Sequence, residues 1–280
     1  MIQPQDLEKA EIDLLLEGVR LRYGYDFSNY SFASLRRRLE QVRTQAGLTR
    51  YTQVLDRVFH DEEFFDQMLK SLSITVTEMF RDPLFYRAVR EHVLPHLRTF
   101  PFAKIWHAGC ATGQEVYSMA ILLQEESFLG RARLYATDFN KLALDTAQKG
   151  VYPASDMAAY AKNYAAAGGT EDFSSYFSGG YDLAKVKDSL KERVTFSYHN
   201  LVTDGVFGEM NMVCCRNVLI YFDRTLQDRV LRLFTDSLRH GGFLCLGNKE
   251  TLSFTAVKDL YEPVDKDQRI YKKIAGTAHV

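Results

Sequence analysis

Apolar residues recur at three- and four-residue spacing through the first seventy positions. Each of two early series falls on one face of a helix: Ile12, Leu15, Leu16 and Val19, then Leu35, Leu39 and Val42. Glycine-containing segments at 23–26 and 46–49 read as helix stops followed by new starts, and two more short helices are predicted over 51–59 and 62–72. The pattern predicts a small all-helical domain, followed by a helix over 83–97 and a turn at 99–101.

The pattern changes near residue 104, where short apolar runs begin to alternate with amphipathic segments. Strands are predicted over 104–108, 132–137, 194–197, 212–215 and 243–247, and helices over 114–126, 140–149 and 225–238. This alternation is typical of a doubly wound, Rossmann-like α/β sheet. A small β-subdomain insertion is predicted at about 170–193, and residues 268–273 alternate like an edge strand.

These elements predict three regions along the chain. A helical domain is expected over 1–82, a linker helix over 83–100, and the α/β domain with its small β insertion over 101–280. The division rests on the change from helical periodicity to alternating strands and helices.

The segment from Lys104 to Asp138 carries the first chemical signal. A short strand enters a tight turn at Gly109 and Gly113, a helix follows, and a second strand ends on Asp138. In such a βαβ unit the ligand crevice lies at the carboxyl ends of the strands. A carboxylate at that place can accept hydrogen bonds from both ribose hydroxyls, which predicts an adenosine-containing cofactor.

The turn discriminates between adenosine cofactors. A dinucleotide fingerprint has glycine at the position that Ala111 occupies, and its helix N-terminus faces a pyrophosphate. Glu115, in the first helical turn, would repel a pyrophosphate and attract a cation. S-adenosylmethionine (SAM) carries a sulfonium, an ammonium and no phosphate, so the segment favours SAM over NAD. A glutamate that only complements the helix dipole is the alternative reading.

Composition removes several classes of function. The 280 residues include 35 basic and 36 acidic side chains, so no nucleic-acid partner is expected. No apolar run approaches the ~20 residues of a membrane span, and no signal segment is seen, so we expect a cytoplasmic protein without membrane insertion. The four cysteines form no C-x-x-C pair. His92 and His96 lack a third ligand, so no metal is expected.

Further segments fall in a characteristic order along the chain. They are Ser-Ile-Thr-Val-Thr-Glu-Met-Phe-Arg at 73–81, Ala-Thr-Asp at 136–138, His-Asn-Leu at 199–201, Cys-Arg-Asn-Val-Leu-Ile-Tyr-Phe at 215–222 and Asn-Lys-Glu at 248–250. Together with the glycine turn, this set resembles the CheR family of chemotaxis-receptor glutamate methyltransferases over nearly the whole chain. The chain departs from the family pattern at Thr75, where the family has asparagine, and at Gln114, where it has glutamate.

The resemblance implies an activity and its partners. A SAM-dependent protein-glutamate O-methyltransferase would methylate glutamate carboxylates on the cytoplasmic helical domain of membrane chemoreceptors. Its products would be a methyl ester and S-adenosylhomocysteine (SAH), and the protein is expected to be a monomer. A glutamate side chain has an ordinary pKa near ~4.3, so it is already ionised at neutral pH and needs no general base.

The resemblance also implies the residues of the site. The cofactor-binding set is Thr75, Thr77, Arg81, Ala108, Gly109, Glu115, Asp138, Asn200, Leu201, Asn217 and Val218. Arg81 and Tyr221 are expected to orient the acceptor carboxylate. The remaining alternatives are a SAM-dependent enzyme with another protein or small-molecule acceptor, a non-catalytic SAM-binding scaffold, and an NAD-linked oxidoreductase.

The helix over residues 34–45 carries an arginine-rich segment. Arg36, Arg37, Arg38 and Arg43 are expected to form a basic face that docks an acidic helical partner and steers association. A solvated helix face without a partner is the alternative. The small β insertion resembles the β-subdomain that tethers a receptor peptide in some family members, and the sequence leaves open whether this one does.

Overall fold

The computed structural model describes residues 3–72, 77–180 and 182–274. The chain divides into two compact units, of which the first comprises residues 1–75 and 221–227. The second comprises residues 76–220 and 228–280. Among the described residues, no helix is both long enough and apolar enough to cross a membrane.

The first unit contains the predicted helices. They are α1 (Pro4–Tyr23), α2 (Phe32–Gln45), α3 (Tyr51–His60) and α4 (Glu62–Leu72). Helix α1 ends at Gly24, whose left-handed φ of 77° lets its N–H donate to the Arg20 carbonyl. Helices α1 and α3 approach closely at Gly18, where a Cβ would come within 2.6 Å of Leu55. Ile12, Leu15, Val19 and the predicted apolar positions of α2 are buried, which confirms the helical periodicity.

The second unit is built on a seven-stranded sheet with a separate three-stranded sheet. The strands are β1 (Ala103–Ala108), β2 (Ala132–Asp138), β3 (Val151–Pro153), β4 (Phe177–Gly179), β5 (Leu183–Val186), β6 (Val194–Tyr198), β7 (Met210–Cys215), β8 (Leu238–Leu246), β9 (Tyr261–Asp265) and β10 (Ile270–Lys273). The large sheet has the order β6-β2-β1-β7-β8-β10-β9. Its first five strands are parallel, and β10 runs antiparallel to both neighbours. The doubly wound α/β prediction is confirmed.

The helices of the second unit connect these strands. They are α5 (Pro83–Ala88), α6 (Leu94–Leu97), α7 (Gln114–Glu125), α8 (Lys141–Lys149), α9 (Met157–Ala166) and α10 (Asp188–Lys191). Helix α11 (Arg224–Ser237) begins in the segment that groups with the first unit. The helix predicted over 83–97 contains a π-helical turn, Val89–Val93. Pro95 explains this turn, because it has no N–H to donate to the Glu91 carbonyl and its ring would crowd that group.

Two predictions about the strands are wrong. The terminal segment does not form an edge strand, because β10 lies between β8 and β9 and the edge is β9. Strand β9 is not predicted from the sequence because Pro263 interrupts its alternation of apolar and polar residues, although an edge strand tolerates proline. The small sheet, of order β3-β5-β4, also begins earlier than the predicted 170–193, since Val151–Pro153 is its first strand rather than the end of the preceding unit.

Buried aromatic side chains fix the sheet beneath the strand ends. Trp106 of β1 is fully buried, and its Nε1 donates to Thr137 Oγ1 at 2.9 Å. Its ring packs edge-on against His199 and Phe234. These contacts hold the carboxyl ends of β1 and β2 together, and the candidate site is built on those ends.

Candidate active site

The glycine turn after β1 brings its backbone against β2 and Val218. The N–H groups of Gly109 and Cys110 donate to the Thr137 carbonyl at 2.8 and 2.9 Å. Gly109 has a φ of +75°, and a Cβ there would lie 2.6 Å from Val218 Cγ2, so glycine is required. Ala111 adopts a left-handed φ of 48° at the place where dinucleotide fingerprints carry glycine. The turn therefore keeps the tight geometry without the second glycine.

Asp138 joins the end of β2 to this turn. Its Oδ2 accepts the N–H of Ala111 at 2.8 Å, and its Oδ1 accepts that of Asn140 at 2.9 Å. Burial raises the pKa of this carboxyl above its ordinary value, while the backbone donors act in the opposite direction. Asp138 is buried, with 8% of the residue exposed at the end of β2. Its position suits acceptance of ribose hydroxyls, as the sequence predicts.

Arg216 is the centre of a buried ionic cluster behind the turn. Its Nη2 lies 2.7 Å from Asp82 Oδ2, and its Nη1 lies 3.2 Å from Glu115 Oε2. The guanidinium also lies 4.0 Å from the centre of the Phe85 ring. The Arg216 side chain is 1% exposed, whereas the side chains of Asp82 and Glu115 are 29% and 19% exposed. The carboxylates therefore reach the crevice and the arginine supports them from below.

The second oxygen of Glu115 is bound by His107. Its Oε1 lies 2.9 Å from Nδ1 of the fully buried His107. An ionised carboxylate only accepts hydrogen bonds, so the network assigns the proton to Nδ1. Burial alone would raise the pKa of Glu115, but His107 and Arg216 outweigh it and the pKa falls below its ordinary value. Glu115 is therefore ionised at neutral pH.

The charge of this cluster fits the cationic end of SAM. Two carboxylates, Asp82 and Glu115, face one guanidinium, so the cluster keeps one net negative charge. A ligand that brings an ammonium group would balance that charge, whereas a pyrophosphate would increase it. Within the described ranges, His107, Glu115 and Cys214 also place possible metal-ligand atoms within 4.8 Å of one another. In this group the Glu115 carboxylate is already paired with a positive charge, the Arg216 guanidinium.

A strained turn presents Arg81 beside this cluster. The residues on either side, Phe80 and Asp82, both have left-handed φ angles, of 54° and 56°. Such angles are costly for residues with side chains and persist only where the surroundings enforce them. Here the Phe80 N–H donates to Ser118 Oγ at 2.8 Å, and Arg216 binds Asp82. The fold therefore fixes the backbone that carries Arg81.

The other predicted cofactor residues lie at neighbouring strand ends. Asn217 and Val218 follow β7, and Ala108 ends β1. Asn200 and Leu201 follow β6; both are buried, and Asn200 Oδ1 accepts the Val202 N–H at 2.9 Å. Thr77 is half-buried at the start of the segment that leads to Arg81. The prediction for Thr75 concerns a residue outside the described ranges.

Tyr221 groups with the first unit rather than with the strand ends. It follows Val218 by three residues, and its ring lies 4.5 Å from the guanidinium carbon of Arg38. Arg38 is 6% exposed and also donates to the Leu72 carbonyl. Burial lowers the pKa of Arg38. The prediction that Arg38 belongs to an exposed docking face is wrong, because its side chain packs inside the helical unit against Tyr221.

The other arginines of α2 divide into exposed and paired side chains. Arg37 is exposed, and Arg36 is exposed but binds Glu8 at 2.9 Å. Arg43 is partly buried, pairs with Glu40 at 2.6 Å and lies over the Tyr51 ring. The basic surface of α2 is therefore smaller than the sequence predicts, and Arg36 and Arg37 carry most of it.

Sequence reasoning did not assign roles to three residues of the site. The site residues expected from the sequence do not include Asp82 or His107. They do not include Arg216 either, whose role is defined by its two carboxylate partners. The sequence carries no local signal for this pairing, because Asp82 and Arg216 lie 134 positions apart in the chain.

Comparison with known proteins agrees with this geometry. Residues 75–270 match the family model described as CheR methyltransferase, SAM binding domain. Residues 10–73 match that of the CheR methyltransferase all-alpha domain. Both models match in chain order and together span most of the sequence.

Several curated relatives align along nearly their full length. A Pseudomonas putida protein named "Putative methyltransferase Cher3" is 51% identical, covering 94% of this chain and 96% of the relative. The chemotaxis protein methyltransferase of Vibrio anguillarum is 30% identical over 86% of this chain and 88% of its own. The chemotaxis protein methyltransferase of Salmonella typhimurium is 27% identical over 90% of this chain and 88% of its own. The chain therefore belongs to the CheR methyltransferase family, and its cofactor is SAM.

Proposed function

We propose that this protein methylates glutamate carboxylates on the cytoplasmic helical domain of chemoreceptors. The observation that carries the proposal is the net negative cluster of Asp82, Glu115 and Arg216, with Asp138 at the end of β2 and Arg81 on a fixed turn. The cluster suits a cationic methyl donor, and Arg81 suits an anionic acceptor. The relatives named chemotaxis protein methyltransferases support the choice of chemoreceptor.

The reaction requires positioning more than acid–base chemistry. An acceptor carboxylate oxygen forms a bond to the methyl carbon while the carbon–sulfur bond breaks, and its electron pair stays on sulfur to give neutral SAH. The acceptor is already ionised at neutral pH, so no residue has to remove a proton. Orientation of two bound reactants supplies up to about 7–11 kcal/mol. Arg81 is proposed to orient the acceptor carboxylate.

The test of this proposal uses a purified cytoplasmic receptor fragment. Incubation with SAM and the protein should add a methyl group, about 14 Da, to specific glutamates mapped by peptide mass spectrometry. A matched fragment in which those glutamates are glutamines should gain no mass at those sites. SAH binding without modification of any receptor fragment would refute the proposed acceptor, and saturable NADH binding would favour an oxidoreductase instead.

Arg81→Ala should lower methyl transfer by about tenfold to a hundredfold, because one charge-assisted hydrogen bond to the acceptor carboxylate is worth about 1.5–3 kcal/mol. Initial rates with receptor fragment at saturating SAM measure the effect. Arg81→Lys keeps the charge but not the planar guanidinium, so its rate of methyl transfer should lie between those of wild type and Arg81→Ala. Arg193→Ala, at an exposed position, is the control. A turnover near wild type for Arg81→Ala would remove Arg81 from the mechanism.

Charge reversal of the exposed α2 arginines should weaken receptor docking. In the double variant Arg36→Glu, Arg37→Glu, methylation at limiting receptor and low salt should fall about tenfold, because surface charges mainly steer association. The difference should shrink as salt rises, since the Debye length is about 8 Å at physiological ionic strength. SAH affinity should stay unchanged. Equal reversal at Arg193 and Arg232 is the control, and unchanged methylation at low salt would refute docking through α2.

A further inference from the structure

The carboxylate of Glu250 is buried in the turn that follows β8. It is 4% exposed, and backbone N–H groups surround it. Its Oε2 accepts from Gly247 at 2.6 Å and Asn217 at 3.0 Å, and its Oε1 accepts from Val218 at 2.9 Å and Ile220 at 3.4 Å. One side chain therefore satisfies four N–H donors from the turns after two adjacent strands.

The turn that Glu250 holds contains a residue in the left-handed region. Asn217 has a φ of 62°, a conformation that asparagine adopts more readily than most residues with a side chain. The two turns are also in close contact, because a Cβ on Gly247 would come within 2.7 Å of the Asn217 nitrogen. The carboxylate thus binds two closely packed turns together.

This turn forms part of the proposed cofactor floor. Asn217 and Val218 are two of the residues that the family resemblance assigns to SAM. The Val218 side chain lies directly against Gly109 of the glycine turn, where it leaves no room for a Cβ. Glu250 therefore connects the end of β8, through the turn after β7, to the backbone over which the cofactor is proposed to lie.

The chemistry of the contact requires a carboxylate. An ionised carboxylate can accept hydrogen bonds at both oxygens. The amide of glutamine accepts only at its oxygen, because its NH₂ group is a donor. The ion pairs in the described part of the chain do not include Glu250, and Lys249 beside it is exposed. The hydrogen bonds from backbone N–H groups are therefore what balances its charge.

We propose that Glu250 is a positioning residue that keeps the turn over Asn217–Ile220 in its SAM-binding conformation. The proposal rests on the proposed assignment of Asn217 and Val218 to the cofactor site. Glu250 acts through the backbone it binds, so its loss should weaken cofactor binding without removing a group that touches the acceptor.

The test compares Glu250→Gln with wild type. Glutamine has the same shape, but its NH₂ group faces two N–H donors. SAH affinity should fall about tenfold or more, since a hydrogen bond to a charged group is worth about one decade. KM for SAM should rise by a similar factor, while kcat at saturating SAM changes less than threefold. Amide hydrogen exchange in a peptide covering 216–221 should accelerate, while peptides of β1 and β2 keep their protection.

Two further variants keep the result interpretable. Glu262→Gln, at an exposed glutamate on β9, should change none of these readouts. Gly247→Ala keeps the carboxylate but pushes a methyl group against both Asn217 and Glu250 Oε2, so it should displace the carboxylate from its N–H donors. If the Glu250→Gln protein does not fold, Gly247→Ala should show the same loss of SAH affinity. SAH binding within twofold of wild type in both variants would overturn the proposal. Absence of SAH binding to the wild type would instead refute the cofactor assignment itself.

Discussion

Replacement of Asp138 by asparagine is expected to weaken SAH binding by about a hundredfold or more. The carboxylate is proposed to accept both ribose hydroxyls, and each charge-assisted hydrogen bond contributes about 1.5–3 kcal/mol. Asparagine keeps the shape but has one acceptor oxygen, which the backbone N–H groups of Ala111 and Asn140 already require. Titration calorimetry with SAH measures the effect directly.

The control for this variant is Asp145→Asn, which removes an exposed carboxylate from α8 in the same βαβ region. Its SAH affinity should equal that of wild type. Thermal melting of Asp138→Asn without ligand separates lost cofactor contacts from a loosened glycine turn, because a change confined to ribose binding leaves the melting temperature of the free protein unchanged. Wild-type SAH affinity in Asp138→Asn would contradict the placement of the ribose.

Replacement of Arg216 by methionine is expected to lower the free energy of unfolding of the second unit by about 3 kcal/mol. Breaking a buried ion pair typically costs about 3–5 kcal/mol, and the partial exposure of Asp82 and Glu115 favours the lower end. Trp106 is the single tryptophan and is fully buried in this unit, so its fluorescence during urea unfolding reports the change. Arg232→Met, at an exposed position on α11, is the control.

The Arg216 variant should also have a characteristic pH dependence. Arg216 and His107 hold the pKa of Glu115 below its ordinary value of 4.5, so this group stabilises the fold above that pH. The contribution disappears as the pH falls through the lowered pKa. The stability difference between wild type and Arg216→Met should therefore be largest at neutral pH and shrink as the pH falls below the ordinary pKa of 4.5. A difference that is constant with pH would show that Arg216 acts through packing alone.

The parts of this fold that follow from local patterns could be predicted from the sequence. The spacing of Ile12, Leu15 and Val19 identifies a helix, and the glycine turn followed by Asp138 identifies the first βαβ unit. Both signals depend on residues within about thirty positions of each other. The cofactor class follows from the same unit, because its turn carries Ala111 and Glu115 where a dinucleotide fingerprint has glycine and faces a pyrophosphate.

The parts that depend on distant contacts could not be predicted. Arg36, Arg37 and Arg38 are consecutive, and neighbours on a helix point about 100° apart, so they cannot share one face. The structure shows which one turns inward, because Arg38 packs on Tyr221 from a segment nearly two hundred residues away in sequence. The role of Arg216 likewise depends on Asp82 and Glu115, which are far from it in the chain.

Transfer of radiolabelled methyl from SAM to membranes that contain chemoreceptors tests the central claim most directly. Label is expected in a receptor-sized band, and mild alkali should release it, because a glutamate methyl ester hydrolyses whereas an N-methyl group does not. The Arg81→Ala protein should leave the band only weakly labelled. Label that survives alkali, or no label from a protein that binds SAM, would contradict methylation of receptor glutamates.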